Sequence, residues 1–249
     1  MRLLKRILAV VGVLVLLLVL AGAILVVTLD ESMPEVTAGP QADTMAREML
    51  AAVDADAWAR TGAVQFVFRG KNRHLWDRER GFARVMWSDV TVLLRTADKT
   101  GRVWRGETEV TGPEVDALLD RAHAFYINDA FWLNPVVKAF DPGVERGLVP
   151  TASERAVMMR FTTGGRTPGD AYLWYLGADG LPVAWQMWVE ILPVGGLRVT
   201  WADWQTLATG AKVATRHEVG PFTLKLTEVA GAATLAELVP GPDPFAPLL

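Results

Sequence analysis

The chain has 249 residues, of which 51% are hydrophobic and 21% are charged, a composition that is typical of a globular protein. Its formal net charge of −3 disfavours binding to the phosphate backbone of nucleic acids. The absence of cysteine excludes disulfides, thiolate nucleophiles, cysteine-bound zinc and cysteine lipidation.

The first 29 residues are predicted to form a signal-anchor that crosses the membrane once. Three basic residues at the start precede a run from Ile7 to Leu29 that contains no charged residue. A spanning helix needs about 20 apolar residues, whereas the apolar core of a cleavable signal has about 7–15. The length therefore favours an uncleaved anchor, although the small residues at 21–23 resemble a cleavage site. The basic start places the N-terminus in the cytoplasm, so the remaining chain is expected in the periplasm or at the cell exterior.

The rest of the chain is predicted to be a linker followed by one domain. The acidic stretch over 30–40 contains two prolines and reads as the linker, which leaves 41–249 as the domain. Apolar residues at helical spacing predict one helix over 41–60 and a second over 112–129. The stretch over 130–150 is predicted to be irregular, and long apolar loops of this kind often act as lids.

Outside these helices the apolar residues recur with a period of two, which is typical of strands. About ten or eleven short strands are predicted, and the turn signals between them favour pairing of sequential neighbours. The predicted fold class is α+β and predominantly antiparallel, with a curved sheet of about ten strands. Two helices and the 130–150 loop are expected to cover its concave face.

One face of the predicted sheet is uniformly apolar and bulky. Alternation places Trp185 and Met187 on this face and Trp188 on a mixed face. A wide apolar face is a liability unless something covers it or binds there. The candidate ligand-binding residues of this face and of its loop cover are Phe66, Phe68, Trp132, Phe140, Trp185, Met187 and Trp201.

The order of elements is a helix, a run of antiparallel strands, a second helix, an apolar loop and further strands. This order resembles the half-barrel of the lipoprotein localisation factors LolA and LolB and of the LppX-type carriers, across most of 41–249. The resemblance implies that acyl chains bind between the covering helices and the concave face, with a lipid or a lipidated protein as partner. LolA is a soluble shuttle and LolB is anchored by an acylated cysteine, whereas this chain is expected to be held by a protein helix. No residue role is therefore transferred by position.

Two functional hypotheses follow. The first is a membrane-tethered binding protein for an apolar ligand, with the alternative that the same side chains form an ordinary dry core. The second is a non-catalytic envelope scaffold that binds a partner protein through Trp188 and Trp204 on the mixed face.

An enzyme is not expected, because no catalytic motif occurs. None of the serines lies in a G-x-S-x-G motif, and neither H-E-x-x-H nor a phosphate-binding loop is present. The three histidines, His74, His123 and His217, are far apart in sequence. Isolated histidines are more often structural groups than metal ligands. The sequence therefore predicts neither a metal site nor a cofactor.

Overall fold

The computed structural model describes residues 28–150, 154–164 and 167–249. The predicted signal-anchor lies almost wholly outside these residues. Among the described residues, no helix combines the length and the hydrophobicity that crossing a bilayer requires.

The described residues form four α-helices and fourteen strands. The helices are α1 (Pro40–Ala52), α2 (Ala55–Ala59), α3 (Val115–Phe131) and α4 (Leu235–Leu238), and 3₁₀ turns span Pro135–Lys138 and Ala246–Leu248. The strands are, in chain order, β1 (Ala63–Phe68), β2 (Asn72–Asp77), β3 (Phe82–Trp87), β4 (Val90–Arg95), β5 (Gly101–Arg105), β6 (Thr108–Glu109), β7 (Val144–Gly147), β8 (Ala156–Phe161), β9 (Ala171–Leu176), β10 (Pro182–Trp188), β11 (Leu197–Thr200), β12 (Ala202–Thr206), β13 (Lys212–Val219) and β14 (Phe222–Ala232).

The strands pair into two antiparallel sheets, neither of which closes on itself. The larger sheet has nine strands in the order β12-β13-β14-β1-β2-β3-β4-β5-β6, and the smaller has five in the order β11-β10-β9-β8-β7. The sheets meet where β11 and β12 follow each other in the chain, separated by Trp201 alone. The prediction of an α+β fold dominated by antiparallel strands is confirmed, but the strands are divided between two sheets.

The structure has more strands than the sequence predicted because two predicted strands are broken and one was missed. One break is at Gly106, where a left-handed φ of 55° turns the chain between β5 and β6. The second is at Trp201, where the chain passes from the smaller sheet to the larger. The missed strand is β7, which lies in the stretch predicted to be irregular and pairs with β8 at the edge of the smaller sheet.

The helix predicted over 41–60 is in fact two helices, α1 and α2. The chain leaves α1 at Val53, and Asp54 then adopts a left-handed φ of 51°. The Asp54 carboxylate accepts a hydrogen bond of 2.9 Å from the amide of Ala57, so it caps α2 in the way that N-terminal aspartates commonly do. The second predicted helix corresponds to α3, which continues two residues further than predicted, to Phe131.

Each sheet face is covered by a different part of the chain. The apolar stripe of α3, including Leu118 and Ala122, packs on β3, β4 and β5 of the larger sheet. On the opposite face of those strands, Leu75 and Leu93 contact Phe245 of the C-terminal segment. The helix α1 and the first 3₁₀ turn pack on the smaller sheet. The C-terminal tail is therefore part of the packed structure.

Residues 30–37, predicted to be a linker, are attached to the smaller sheet. The amide of Glu31 donates to the carbonyl of Gly195 at 3.1 Å, and the indole Nε1 of Trp188 donates to the carbonyl of Glu31 at 2.7 Å. Further along, Thr37 forms an isolated antiparallel bridge with Leu148. Hydrogen bonds to backbone on both sides thus hold this segment against the domain.

We predict that Gly195→Ala releases this segment. An added Cβ would lie 2.6 Å from Cδ1 of Trp188 and 2.8 Å from the carbonyl oxygen of Glu31. Destabilisation of the attached segment by about 1–2 kcal/mol raises the population of the released segment by about 5–30-fold. Digestion of the full-length protein with a glutamate-specific protease should therefore cut faster after Glu31 and Glu35. The variant Pro193→Ala, in the same loop, is the control, and equal rates in both variants would contradict the prediction.

Candidate functional site

A buried aromatic cluster, defined by Phe131, Tyr172, Trp174, Trp185 and Trp201, occupies the covered face of the smaller sheet. Strand pairing places Trp185 directly opposite Trp174. The ring centroids of Trp174, Trp185 and Trp201 are 4.8–4.9 Å apart in all three pairs. The exposed fractions of these three residues are 1%, 0% and 2%, so the rings fill the space between them.

The indole Nε1 atoms of Trp174, Trp185 and Trp201 have no hydrogen-bond partner among the described residues. A buried polar group without a partner normally destabilises a protein. Two of the three ring pairs meet edge to face, at interplanar angles of 69° and 64°. Edge-to-face packing is one of the favourable arrangements of aromatic rings.

His217 lies beside this cluster and is fully buried. Its ring centroid is 4.3 Å from that of Trp201, and its Nδ1 is 3.2 Å from the carbonyl oxygen of Thr200. Burial lowers the pKa of His217 to about 4, against a smaller raising effect of the backbone groups of Thr200 and Trp132. The imidazole is therefore neutral at physiological pH and acts as a structural group.

The seven candidate ligand-binding residues do not form one open site. Those that are buried, at 6% exposure or less, are Phe66, Phe68, Trp185, Met187 and Trp201. Trp132 is half-buried and contacts the ring of Trp185, with centroids 5.1 Å apart. Phe140 is exposed at 38%, and the guanidinium of Arg146 lies 4.1 Å from its ring centroid. Of the seven, Phe68 also lines the open pocket described next.

An open pocket of about 620 Å³ lies between α3 and the turns that join β1 to β2 and β3 to β4. This volume is within the range of about 300–1,000 Å³ that is common for ligand sites. Its lining combines aromatic, basic and polar side chains, namely Phe68, Trp87, Phe125, Arg69, Lys71, Arg121, Asn72, Asn128 and Asp129. We call this the α3 pocket. Sequence reasoning missed it, because its residues come from three separate parts of the chain.

The β1–β2 turn shapes one wall of the α3 pocket. Arg69 and Gly70 have left-handed φ values of 53° and 65°, and the amide of Lys71 donates to the carbonyl of Phe68 at 3.0 Å. Two successive left-handed residues define the tight turn whose twist suits a hairpin. The turn exposes Arg69 and Lys71 at the rim, while Phe68 remains buried beneath them.

Asp129, which lines the α3 pocket, contacts the buried His74. The His74 Nε2 atom lies 2.8 Å from Oδ2 of Asp129, and the side chains are 2% and 1% exposed. The amide groups of Asn72 and Asn128 donate to the same carboxylate at 2.8 Å and 2.9 Å. The ring of Phe66 stacks on His74, with centroids 4.6 Å apart. The carboxylate is therefore fully engaged, as a buried charge requires.

The two tryptophans that the sequence suggested for partner binding, Trp188 and Trp204, form hydrogen bonds within the domain. Trp188 and Trp204 are half-buried, and their Nε1 atoms donate to the carbonyls of Glu31, at 2.7 Å, and Pro182, at 3.2 Å. Binding of a partner protein through these tryptophans stays a prediction.

Within the part of the chain that the structure describes, no three histidine or carboxylate side chains are grouped so that they could hold a metal ion.

No family model and no curated protein sequence matches the chain. Among solved structures, the chain is similar to a DUF1329 family protein from Desulfovibrio piger ATCC 29098, with 10% sequence identity and a TM-score of 0.42. The alignment covers 82% of this chain and 96% of that chain. No conclusion about function follows from a likeness at this level.

We predict that Asp129→Asn lowers the free energy of unfolding by about 3 kcal/mol, because it removes the buried carboxylate that contacts His74 Nε2 and accepts from Asn72 and Asn128. The matched control is Asp116→Asn, at the exposed start of the same helix, where loss of a favourable helix-dipole interaction costs about 0.3–1 kcal/mol. Urea unfolding of the full-length proteins in detergent micelles measures both. A change at Asp129 no larger than at Asp116 would show that the contacts of the Asp129 carboxylate do not stabilise the fold.

We further predict that His217 makes the protein less stable in acid. Because its folded pKa is about 4 and the unfolded value is about 6.5, the unfolded state binds the proton first. The stabilisation is complete above pH 6.5 and is lost as the pH falls towards 4, by about 3 kcal/mol. The difference in unfolding free energy between the wild type and His217→Phe, measured from pH 7 to 4, isolates this effect. Parallel pH profiles would refute it.

Proposed function

We propose that this chain is a membrane-tethered, extracytoplasmic binding protein for a lipid or for the acyl chain of a lipidated protein. The observation that carries the proposal is the α3 pocket, an open volume of about 620 Å³ with aromatic walls between a covering helix and a sheet. Three aromatic side chains give the pocket an apolar wall of the kind that binds apolar molecules, and polar and basic groups surround that wall. The tether rests on the uncharged run from Ile7 to Leu29.

In this proposal the two sheets act as one curved wall of the half-barrel kind. The wall is continuous in the chain through Trp201, and the amide of Trp201 donates to the carbonyl of Val183 in the smaller sheet at 2.8 Å. Both α1 and α3 pack on this wall. A helix that covers a sheet leaves room for a ligand wherever the two separate, and the α3 pocket is such a place.

The ligand-binding part of the wall differs from the one that the sequence suggested. The buried aromatic cluster is close-packed, and opening it would forfeit many ring contacts. The α3 pocket is already open. An acyl chain is therefore expected to lie against Phe68, Trp87 and Phe125, of which Phe68 is shared with the predicted set.

We predict that Phe125→Ala weakens binding of an apolar ligand by about 10–100-fold, because about 1.5–3 kcal/mol of aromatic contact is removed. The full-length protein in phosphatidylcholine nanodiscs is titrated with the neutral fluorescent probe N-phenyl-1-naphthylamine, and empty nanodiscs supply the background. The matched control is Phe222→Ala, which removes a phenylalanine that is 73% exposed and lies outside the pocket.

Circular dichroism checks that both variants remain folded. Saturable probe binding that is lost in Phe125→Ala and kept in Phe222→Ala supports the proposal. Absence of saturable binding to the wild type above the nanodisc background would overturn it, and so would equal affinity of the two variants.

A further inference from the structure

The α3 pocket carries more positive charge than its own acidic group can balance. Among the residues that the structure describes, none of Arg69, Lys71 and Arg121 has a carboxylate oxygen within ion-pair distance. Nearby arginines do have such partners, since Arg73 pairs with Glu228 at 2.6 Å. The three cations of the pocket are therefore available to a ligand.

This local excess does not follow from the composition of the chain. The three basic residues of the first six positions leave 22 Lys and Arg against 28 Asp and Glu in the rest of the sequence. About half of the exposed arginines among the described residues pair with a carboxylate, as Arg102 does with Glu109 at 2.5 Å. What is local to the pocket is the grouping of three unpaired cations around one opening, and clusters of this kind attract anions.

The acidic group of the pocket does not offset these cations fully. The Asp129 carboxylate is nearly inaccessible, at 1% side-chain exposure, and it already accepts hydrogen bonds from Asn72 and Asn128 besides its contact with His74. Arg69, Lys71 and Arg121, in contrast, are exposed at the rim. An incoming ligand therefore meets the cations before it meets the carboxylate.

Arg121 lies at the boundary between the apolar and the basic parts of the pocket. Its guanidinium carbon is 5.3 Å from the ring centroid of Phe125 and 5.7 Å from that of Trp87. Cation–π contacts of this kind hold the guanidinium over the aromatic wall. A ligand whose chain lies along the two rings would bring its first polar atoms to Arg121.

We propose that the α3 pocket binds an amphiphile by its anionic end, a carboxylate or a phosphate, on Arg121, Arg69 and Lys71, with its apolar chain against Phe125 and Trp87. This inference rests on the proposed function and adds the chemical class of the ligand. Guanidinium groups suit both anions, because their donors match the geometry of two oxygen atoms. The two sources of the anion are a free fatty acid and a phosphate-bearing lipid.

The test measures displacement of N-phenyl-1-naphthylamine from the full-length protein in phosphatidylcholine nanodiscs. The competitors share a twelve-carbon chain and differ at the head: dodecanoate, dodecyl phosphate, dodecanol and dodecyltrimethylammonium. We expect at least one anion to displace the probe at a concentration about tenfold below that of dodecanol, as one or two charge-assisted hydrogen bonds provide. The cation should be the weakest competitor. The anion that displaces the probe at the lower concentration identifies the source: dodecanoate indicates a free fatty acid, and dodecyl phosphate indicates a phosphate-bearing lipid.

A pair of double variants distinguishes anion binding at the pocket cations from a general effect of the protein's net charge. Arg69→Gln with Arg121→Gln should bring the anions to within about twofold of dodecanol, since two of the three ligand-facing charges are gone. Arg60→Gln with Arg160→Gln removes the same charge from exposed positions outside the pocket and should keep the preference.

The possible failures are distinguishable. If dodecanol displaces the probe as well as the anions do, the pocket binds apolar molecules without regard to charge, so the inference is wrong while the proposed function stands. Equal loss of the preference in both double variants would also overturn the inference. If the probe itself does not bind, the proposed function fails together with the inference.

Discussion

The fold depends on the junction at Thr200 and Trp201, where one stretch of chain passes from the smaller sheet into the larger. The carbonyl of Thr200 is 3.2 Å from His217 Nδ1, and the Thr200 hydroxyl accepts from the amide of Glu218 at 2.9 Å. The amide of Trp201 donates to Val183 on the other side. Hydrogen bonds of two adjacent residues thus connect β10 with β13. His217 takes part in its neutral form, because a charged imidazole would need a counter-ion in this buried place.

The helix α3 links this junction to the open pocket. Its C-terminal residue Phe131 belongs to the buried aromatic cluster, with ring centroids 5.1 Å from Tyr172. Its first turns pack Leu118 against the larger sheet. Between these two fixed points the helix presents Arg121 and Phe125 to the pocket. Because both ends of the lining segment are held by packing, the pocket side chains have a defined position relative to the sheet.

Local patterns in the sequence predicted most elements but could not reveal where the open volume lies. Alternation correctly separated Trp185 from Trp188, because the period of two is a property of any strand. The break at Asp54 requires a left-handed aspartate, which no pattern of apolar residues signals. The pair of His74 with Asp129 joins residues 55 positions apart, so its formation is decided by strand order and helix placement. Apolar residues that line a cavity and those that fill a core have the same spacing, and only the packing distinguishes them.

The two polar features of the interior show why ligand binding is assigned to one region and not to the other. The rings of Trp174, Trp185 and Trp201 fill the space between them, so a guest that separated the rings would break their contacts. In the α3 pocket the carboxylate of Asp129 already has its hydrogen bonds, so a guest disturbs no buried pairing. Ligand entry into the buried aromatic cluster would break existing ring contacts, whereas the α3 pocket is open and has no such contacts to break. For the ligand that we propose, the exposed cations and the aromatic wall of the α3 pocket are in place before binding, which lowers the cost of ordering the site.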